Sequence, residues 1–220
     1  MRKVIVALLS VLVAGLMLIP SSASAGTVAS VLKDARGDLG PKLDFSTGEV
    51  LLTWPDEMVL KKVGYFDALS FSLSYSTREK TYTFSMEVAK ALPAPGTALP
   101  YGWKVVRWLM WIDPEPWIPG VNDPTIYSVL LEYDGSVYSA QLRDYATGAV
   151  LEELPFEIDG STFQVEFSPA SIGNMASFWW LPCTVVVWSA SGIGGYWDLD
   201  APDPGAAPGQ VLWDVPWPPA

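Results

Sequence analysis

Leu69-Ser-Phe-Ser-Leu-Ser-Tyr-Ser76 and Thr81-Tyr-Thr-Phe-Ser-Met-Glu-Val88 alternate apolar and polar residues without a break. Successive side chains of a strand point to opposite faces, so a period of two gives each segment one apolar face and one polar face. Leu69, Phe71, Leu73 and Tyr75 oppose four serines in the first segment. In the second, Tyr82, Phe84, Met86 and Val88 oppose Thr81, Thr83, Ser85 and Glu87. The polar run Ser76 to Lys80 is short enough for a hairpin loop. A pair of strands with one apolar face has to bury it against a second layer. The fold class that follows is all-β, a two-sheet antiparallel β-sandwich of the jelly-roll or immunoglobulin-like kind.

Further strands extend this frame in both directions. Trp103 to Ile112 is apolar on both faces, with Trp108, Met110 and Ile112 on one and Trp103, Val105, Leu109 and Trp111 on the other beside Arg107. Two apolar faces predict cover on both. Asp134-Gly135 and Asp159-Gly160 are hairpin dipeptides, joining Ile126–Tyr133 to Ser136–Leu142 and Leu154–Ile158 to Ser161–Phe167. Glu49 to Trp54 reads as another strand, stopped by Pro55. Ala91 to Pro100 contains three prolines and a glycine, so it is an ordered connection rather than a strand or helix. A second proline-rich loop, Asp113 to Pro124, carries Trp117. Ser168 is placed to cap a short helical turn opened by Pro169. Ala176 to Ala190, split by Pro182, is the last strong strand region. From about Asp198 a tail rich in Pro, Gly, Asp and Trp is expected to run irregularly to the end.

Arg2 and Lys3 precede an apolar run from Val4 to Ile19 and the small residues Ala23-Ser-Ala25. This predicts a secretory signal peptide over 1–25, a helix cleaved before Gly26, and a single domain over 26–220. The expected location is secreted or cell-surface associated, with no stable membrane span after cleavage. Loss of Arg2 and Lys3 takes 13 basic residues to 11 against 24 acids, a net charge of −13. Such a field repels phosphate, which argues against nucleic acid and anionic lipid as partners and leaves neutral polymers and divalent cations. There is no histidine, so Ser-His and Cys-His nucleophile pairs and histidine-ligated zinc are excluded. Cys183, the one cysteine, allows no internal disulfide and reads as a small buried hydrophobe.

Two signals bear on function. Eleven tryptophans are the first, since sugar rings stack on aromatic faces. Trp103, Arg107 and Trp111 recur every four residues, about 13 Å apart along one strand face, and Trp117 sits in a loop. They form either a binding platform or core packing beneath the proline-rich loops. Carboxylates are the second. Asp34 and Asp38 flank a glycine turn, and with Asp67, Asp198 and Asp200 they are either hard oxygen ligands for calcium or turn-forming residues. Asp113 with Glu115, and Glu152 with Glu153, are the nominal acid pairs of a glycoside hydrolase, although no spacing establishes the separation that chemistry needs.

Asp34-Ala-Arg-Gly-Asp38, Gly64-Tyr-Phe-Asp67, Tyr82-Thr-Phe-Ser-Met-Glu-Val88 running on to Leu92-Pro93, Trp108-Leu-Met-Trp-Ile-Asp113 and Asp198-Leu-Asp-Ala-Pro202, in that order, span most of the mature chain. This layout resembles the type 9 carbohydrate-binding-module and DOMON-like β-sandwiches of exported proteins. The resemblance implies a sandwich with sugar, haem or calcium binding. Haem binders of that kind commonly use methionine and histidine as axial ligands, so haem is not expected in a histidine-free chain. The expected function is an exported, non-catalytic module binding a neutral carbohydrate polymer through tryptophan, with structural calcium. The alternatives are a structural or assembly component of an exported cell-surface complex and, third, a carboxylate-dependent hydrolase.

Overall fold

A computed structural model describes residues 27–33, 42–44, 49–52, 63–116, 125–187, 197–198 and 215–218. The signal segment 1–25, Trp117 and the carboxylates Asp34, Asp38 and Asp200 lie outside the described residues. Two antiparallel sheets make up the body. The first takes strands in the order β1 (Thr27–Lys33), β4 (Ala68–Ser76), β5 (Thr81–Val88), β11 (Thr162–Phe167), β10 (Phe156–Asp159). The second runs β13 (Trp197–Asp198), β12 (Phe178–Val187), β6 (Val105–Asp113), β7 (Tyr127–Tyr133), β8 (Tyr138–Asp144), β9 (Val150–Glu153), with β14 (Val215–Trp217) also paired to β12. A separate hairpin joins β2 (Lys42–Asp44) to β3 (Glu49–Leu52).

The alternation read from the sequence builds the core. Phe71 and Leu73 of β4 and Tyr82, Phe84, Met86 and Val88 of β5 are all buried, and they meet Trp108, Met110 and Ile112 of β6 in one cluster with Phe163 and Val165 of β11. Their polar neighbours point out of the sandwich. Both Asp-Gly dipeptides close hairpins, with Gly135 at φ 89° and Gly160 at φ 60°, a left-handed conformation that a side chain would strain. Ser168 accepts a bond from the Ser171 N–H and caps the 3-10 turn Pro169–Ile172.

Cross-layer hydrogen bonds lock the sheets to the connections. The indole N–H of buried Trp108 donates to the carbonyl of Tyr65 at 2.8 Å, and the Thr184 hydroxyl donates to the carbonyl of Phe66 at 2.9 Å. These fix Tyr65-Phe66-Asp67 as it enters β4. Stacked Tyr133 and Tyr138, 4.5 Å between ring centres, reach the proline-rich connection, Tyr138 donating to the Pro93 carbonyl at 2.7 Å. A segment poor in backbone donors is thereby ordered through its carbonyls. Burial, with Tyr133 and Tyr65 adding to it, raises the Tyr138 hydroxyl well above the usual phenol range.

The structure departs from the sequence reading at several points, and one is Leu69, read as an inward residue of β4, which a bulge between Ala68 and Ser70 leaves only part-buried while Ala68 takes the core position. Val150–Glu153 is a strand, although Val-Leu-Glu-Glu has no alternation to announce it. β12 continues through Pro182, which pairs with Met110 at the point where the other edge of β12 passes from β14 to β13. A residue without an N–H thus sits where neither short strand is paired. Val215–Trp217, inside the expected irregular tail, adds to β12 and buries Trp217 among Tyr82 and Phe178. Trp103 precedes β6 at the end of a 3-10 turn, so strand alternation does not extend to it, and its ring joins the inter-sheet core 6.0 Å from Phe66.

Two exposed aspartates cap turns. Asp134 Oδ1 accepts from the N–H groups of Val137 at 2.9 Å and Ser136 at 2.8 Å. Asp144 Oδ1 accepts from the Thr147 hydroxyl at 2.6 Å and its N–H at 2.8 Å. These bonds favour the ionised form and hold both carboxyls below their ordinary value. A depressed folded-state pKa contributes stability that is present above the unfolded value of about 3.9 and is lost as pH falls through the folded value. Carboxyl carbon titration by NMR should place both midpoints below about 3.9; midpoints at or above it would mean that the turns are not formed in solution.

Candidate functional site

The outer face of the second sheet, turned away from the first, gathers most of the residues with functional potential. Register lays it out in rows across β12, β6, β7 and β8: Val185, Arg107, Glu132 and Ser139; then Cys183, Leu109, Leu130 and Gln141; then Leu181, Trp111, Ser128 and Arg143. Leu109, Trp111, Leu130, Leu181, Cys183 and Val185 form a second buried cluster, so this face is covered as well. Cover on both faces of β6 was expected from its apolar pattern, and Cys183 lies fully buried within it.

Along one side of this cluster runs a polar ladder. Glu132 Oε2 accepts from Arg107 Nε at 2.7 Å and from Arg143 at 3.2 Å. Arg143 Nε also donates to Gln141 at 2.8 Å, and Gln141 donates to Glu153 of β9 at 2.8 Å. Burial lowers the Arg143 guanidinium from its ordinary value, with Glu132 opposing the shift. Arg107 and Trp111 do share this face, two rows apart. Arg107 is held in an ion pair, and Trp111 is 9% exposed. Trp103 lies on the far side of the sheet, in the main core. The fold therefore does not bring Trp103, Arg107 and Trp111 into one platform.

A fourth row completes the face at one end. Trp179 of β12 pairs with Asp113 of β6, and the same line continues through Ile126, just before β7, whose carbonyl accepts from the Tyr145 N–H, just after β8, at 3.0 Å. Asp113 is fully buried; Ile126 and Tyr145 are 39% and 38% exposed, and Trp179 is half-buried. Trp111 lies one row in, with the Tyr145 ring edge-on to it at 6.0 Å and 81°. Four strands at about 4.8 Å spacing make this row roughly 14 Å long. Sequence reasoning missed Tyr145 and Ile126 because both sit at strand ends, where a residue's face depends on register.

The carboxylates are less gathered. Asp67 is buried, and β13 sets Asp198 opposite Thr184, whose hydroxyl bonds the carbonyl preceding Asp67, so these two segments are adjacent. Among the described residues no group of three or more side chains able to hold a metal comes together. Asp113 is buried while Glu115 is exposed. Glu152 pairs with inward-facing Leu142 and Glu153 with Gln141, so the two point to opposite faces of β9.

Among the described residues, one flank of the sandwich is open. β9 and β10 are the edge strands of the two sheets, linked by Leu154-Pro155, and every residue of both strands is exposed. Val150, Leu151, Phe156 and Ile158 are 47%, 51%, 38% and 36% exposed. Compared with known proteins, the chain matches no family model, no curated protein and no solved structure.

Proposed function

We propose that this chain is an exported, non-catalytic module that binds a neutral carbohydrate polymer on the end row of its second sheet. The observation that carries the reading is the line of part-exposed Trp179, Ile126 and Tyr145 backed by Trp111. Trp179 at one end of the row and Ile126 with Tyr145 at the other, on either side of buried Asp113, offer apolar contact to the C–H faces of sugar rings, and stacking of this kind needs no charge. The acidic, histidine-free composition supports a neutral ligand over phosphates and over most catalysis. The layout resemblance to type 9 carbohydrate-binding-module and DOMON-like sandwiches supports the same reading. Calcium, if it is held by Asp34, Asp38, Asp67, Asp198 and Asp200, is structural.

A panel of neutral polysaccharides, screened with the mature chain in calcium and in chelator, tests both parts. Tyr145→Ala and Trp179→Ala should each weaken retention by about 1–3 kcal/mol, the scale of a buried aromatic contact, with little change in melting temperature. Retention should be nearly independent of salt. If no neutral glycan is retained, or both variants bind as the wild type does, the assembly-component reading takes its place. Equal melting temperatures in calcium and chelator would remove the calcium set.

A further inference from the structure

We propose that the open flank formed by β9 and β10 is a docking surface for an extended, basic segment of another protein, which adds to the sheet edge as a strand with apolar side chains facing the sandwich. Edge strands present a row of unpaired backbone N–H and C=O groups, and proteins commonly protect them with charge, proline or short length. This flank is only half protected. Glu152, Glu153, Glu157 and Asp159 supply charge, yet Phe156 and Ile158 alternate with the two acids of β10, and Val150 and Leu151 precede those of β9, as large exposed apolar groups. Phe156 and Ile158 pair with Val165 and Phe163 of β11, both core residues, so they lie on the inward side of β10 at the margin of the core. A strand laid beside β10 would continue the core over them.

Charge decides what that strand is. No lysine or arginine follows Arg143, whereas ten acids do, and Arg143 itself is shared between Glu132 and Glu153, so the flank keeps an excess of negative charge. Antiparallel pairing with a second copy would set carboxylates of one edge against those of the other, which is destabilising. A partner with lysine or arginine at the alternate positions instead gains both steering and cross-strand pairing. The same four acids that exclude self-association select the occupant. Glu157 and Glu153 are already oriented outward by bonds from Gln164 and Gln141, each 2.8 Å.

The test uses the mature chain and an octapeptide alternating Lys and Val, beside the same peptide N-methylated at alternate residues, which keeps its charge and apolar surface but cannot pair along one edge. The plain peptide should bind with an affinity that falls as salt rises, and the N-methylated form at least tenfold more weakly. Glu152→Gln with Glu157→Gln and Asp159→Asn should lose binding by a similar factor, as should Ile158→Ser with Phe156→Ser. If that last variant unfolds, Leu151→Asp, on an already exposed side chain, replaces it with the same expectation. Polysaccharide retention should be unchanged in all of them. Equal binding of the two peptides would overturn strand addition, and undiminished binding by the flank variants would overturn the location. Sedimentation showing a wild-type dimer that Ile158→Lys dissociates, with no peptide bound, would assign the flank to a second copy instead.

Discussion

Phe84→Asp is expected to leave the chain largely unfolded at room temperature. Phe84 is fully buried at the centre of β5, edge-on to Phe163 of the neighbouring strand β11 at 5.9 Å, and its pleat neighbours Tyr82 and Met86 are buried with it. A carboxylate there loses its hydration and finds no cation, because the core around it is apolar and aromatic. The penalty is at least about 4 kcal/mol, at the extreme end for single substitutions and comparable to the whole stability of an ordinary domain. Ser85→Asp, one residue along and on the outward face, should change stability by no more than about 0.5 kcal/mol. Urea unfolding of the pair measures the alternation directly. Similar midpoints for both variants would mean that β5 does not present Phe84 to a core.

The second large effect is expected at the opposite end of the chain. Trp217 is 4% exposed, packed edge-on to Tyr82 at 5.7 Å and stacked with Phe178 at 6.2 Å. Burial pushes the hydroxyl of neighbouring Tyr82 upward, with Trp217 opposing the shift. Trp217→Ala removes a large side chain from the junction of β5, β12 and β14 and should cost about 3–5 kcal/mol. Pro216→Ala, exposed on the same short strand, should cost about 0.5 kcal/mol or less. A Trp217→Ala variant with the wild-type melting temperature would show that β14 does not close the sandwich.

The tryptophans show why composition alone overstates a binding platform. Among the described residues, Trp103, Trp108, Trp111, Trp180 and Trp217 are all under 10% exposed. An indole brings the same large apolar area whether it meets a sugar or a phenylalanine, so its residue type does not tell which. Spacing misled at Trp103 for a related reason. A period of two assigns faces only while the backbone stays extended, and the 3-10 turn Pro100–Gly102 ends just before that residue. The partly exposed end row was hidden because its members come from four strands, and only the ladder puts Tyr145 beside Trp111.

The strands of the central hairpin, the inward set Phe71, Leu73, Tyr82, Phe84 and Met86, the Asp-Gly turns and the two-sided burial of β6 were all legible in the order of residues. These follow from alternation and turn chemistry, which are properties of neighbouring residues. That β9 and β10 lie at the sheet edges, that Trp217 returns to the core, and that Trp179 lines up with Tyr145 emerge from the assembled sheets. Each of these depends on register between distant segments, as when the Thr184 hydroxyl meets the Phe66 carbonyl 118 residues away. A one-residue slip in such a pairing turns every side chain of a strand to the other face, so which groups reach solvent is set by the whole ladder at once.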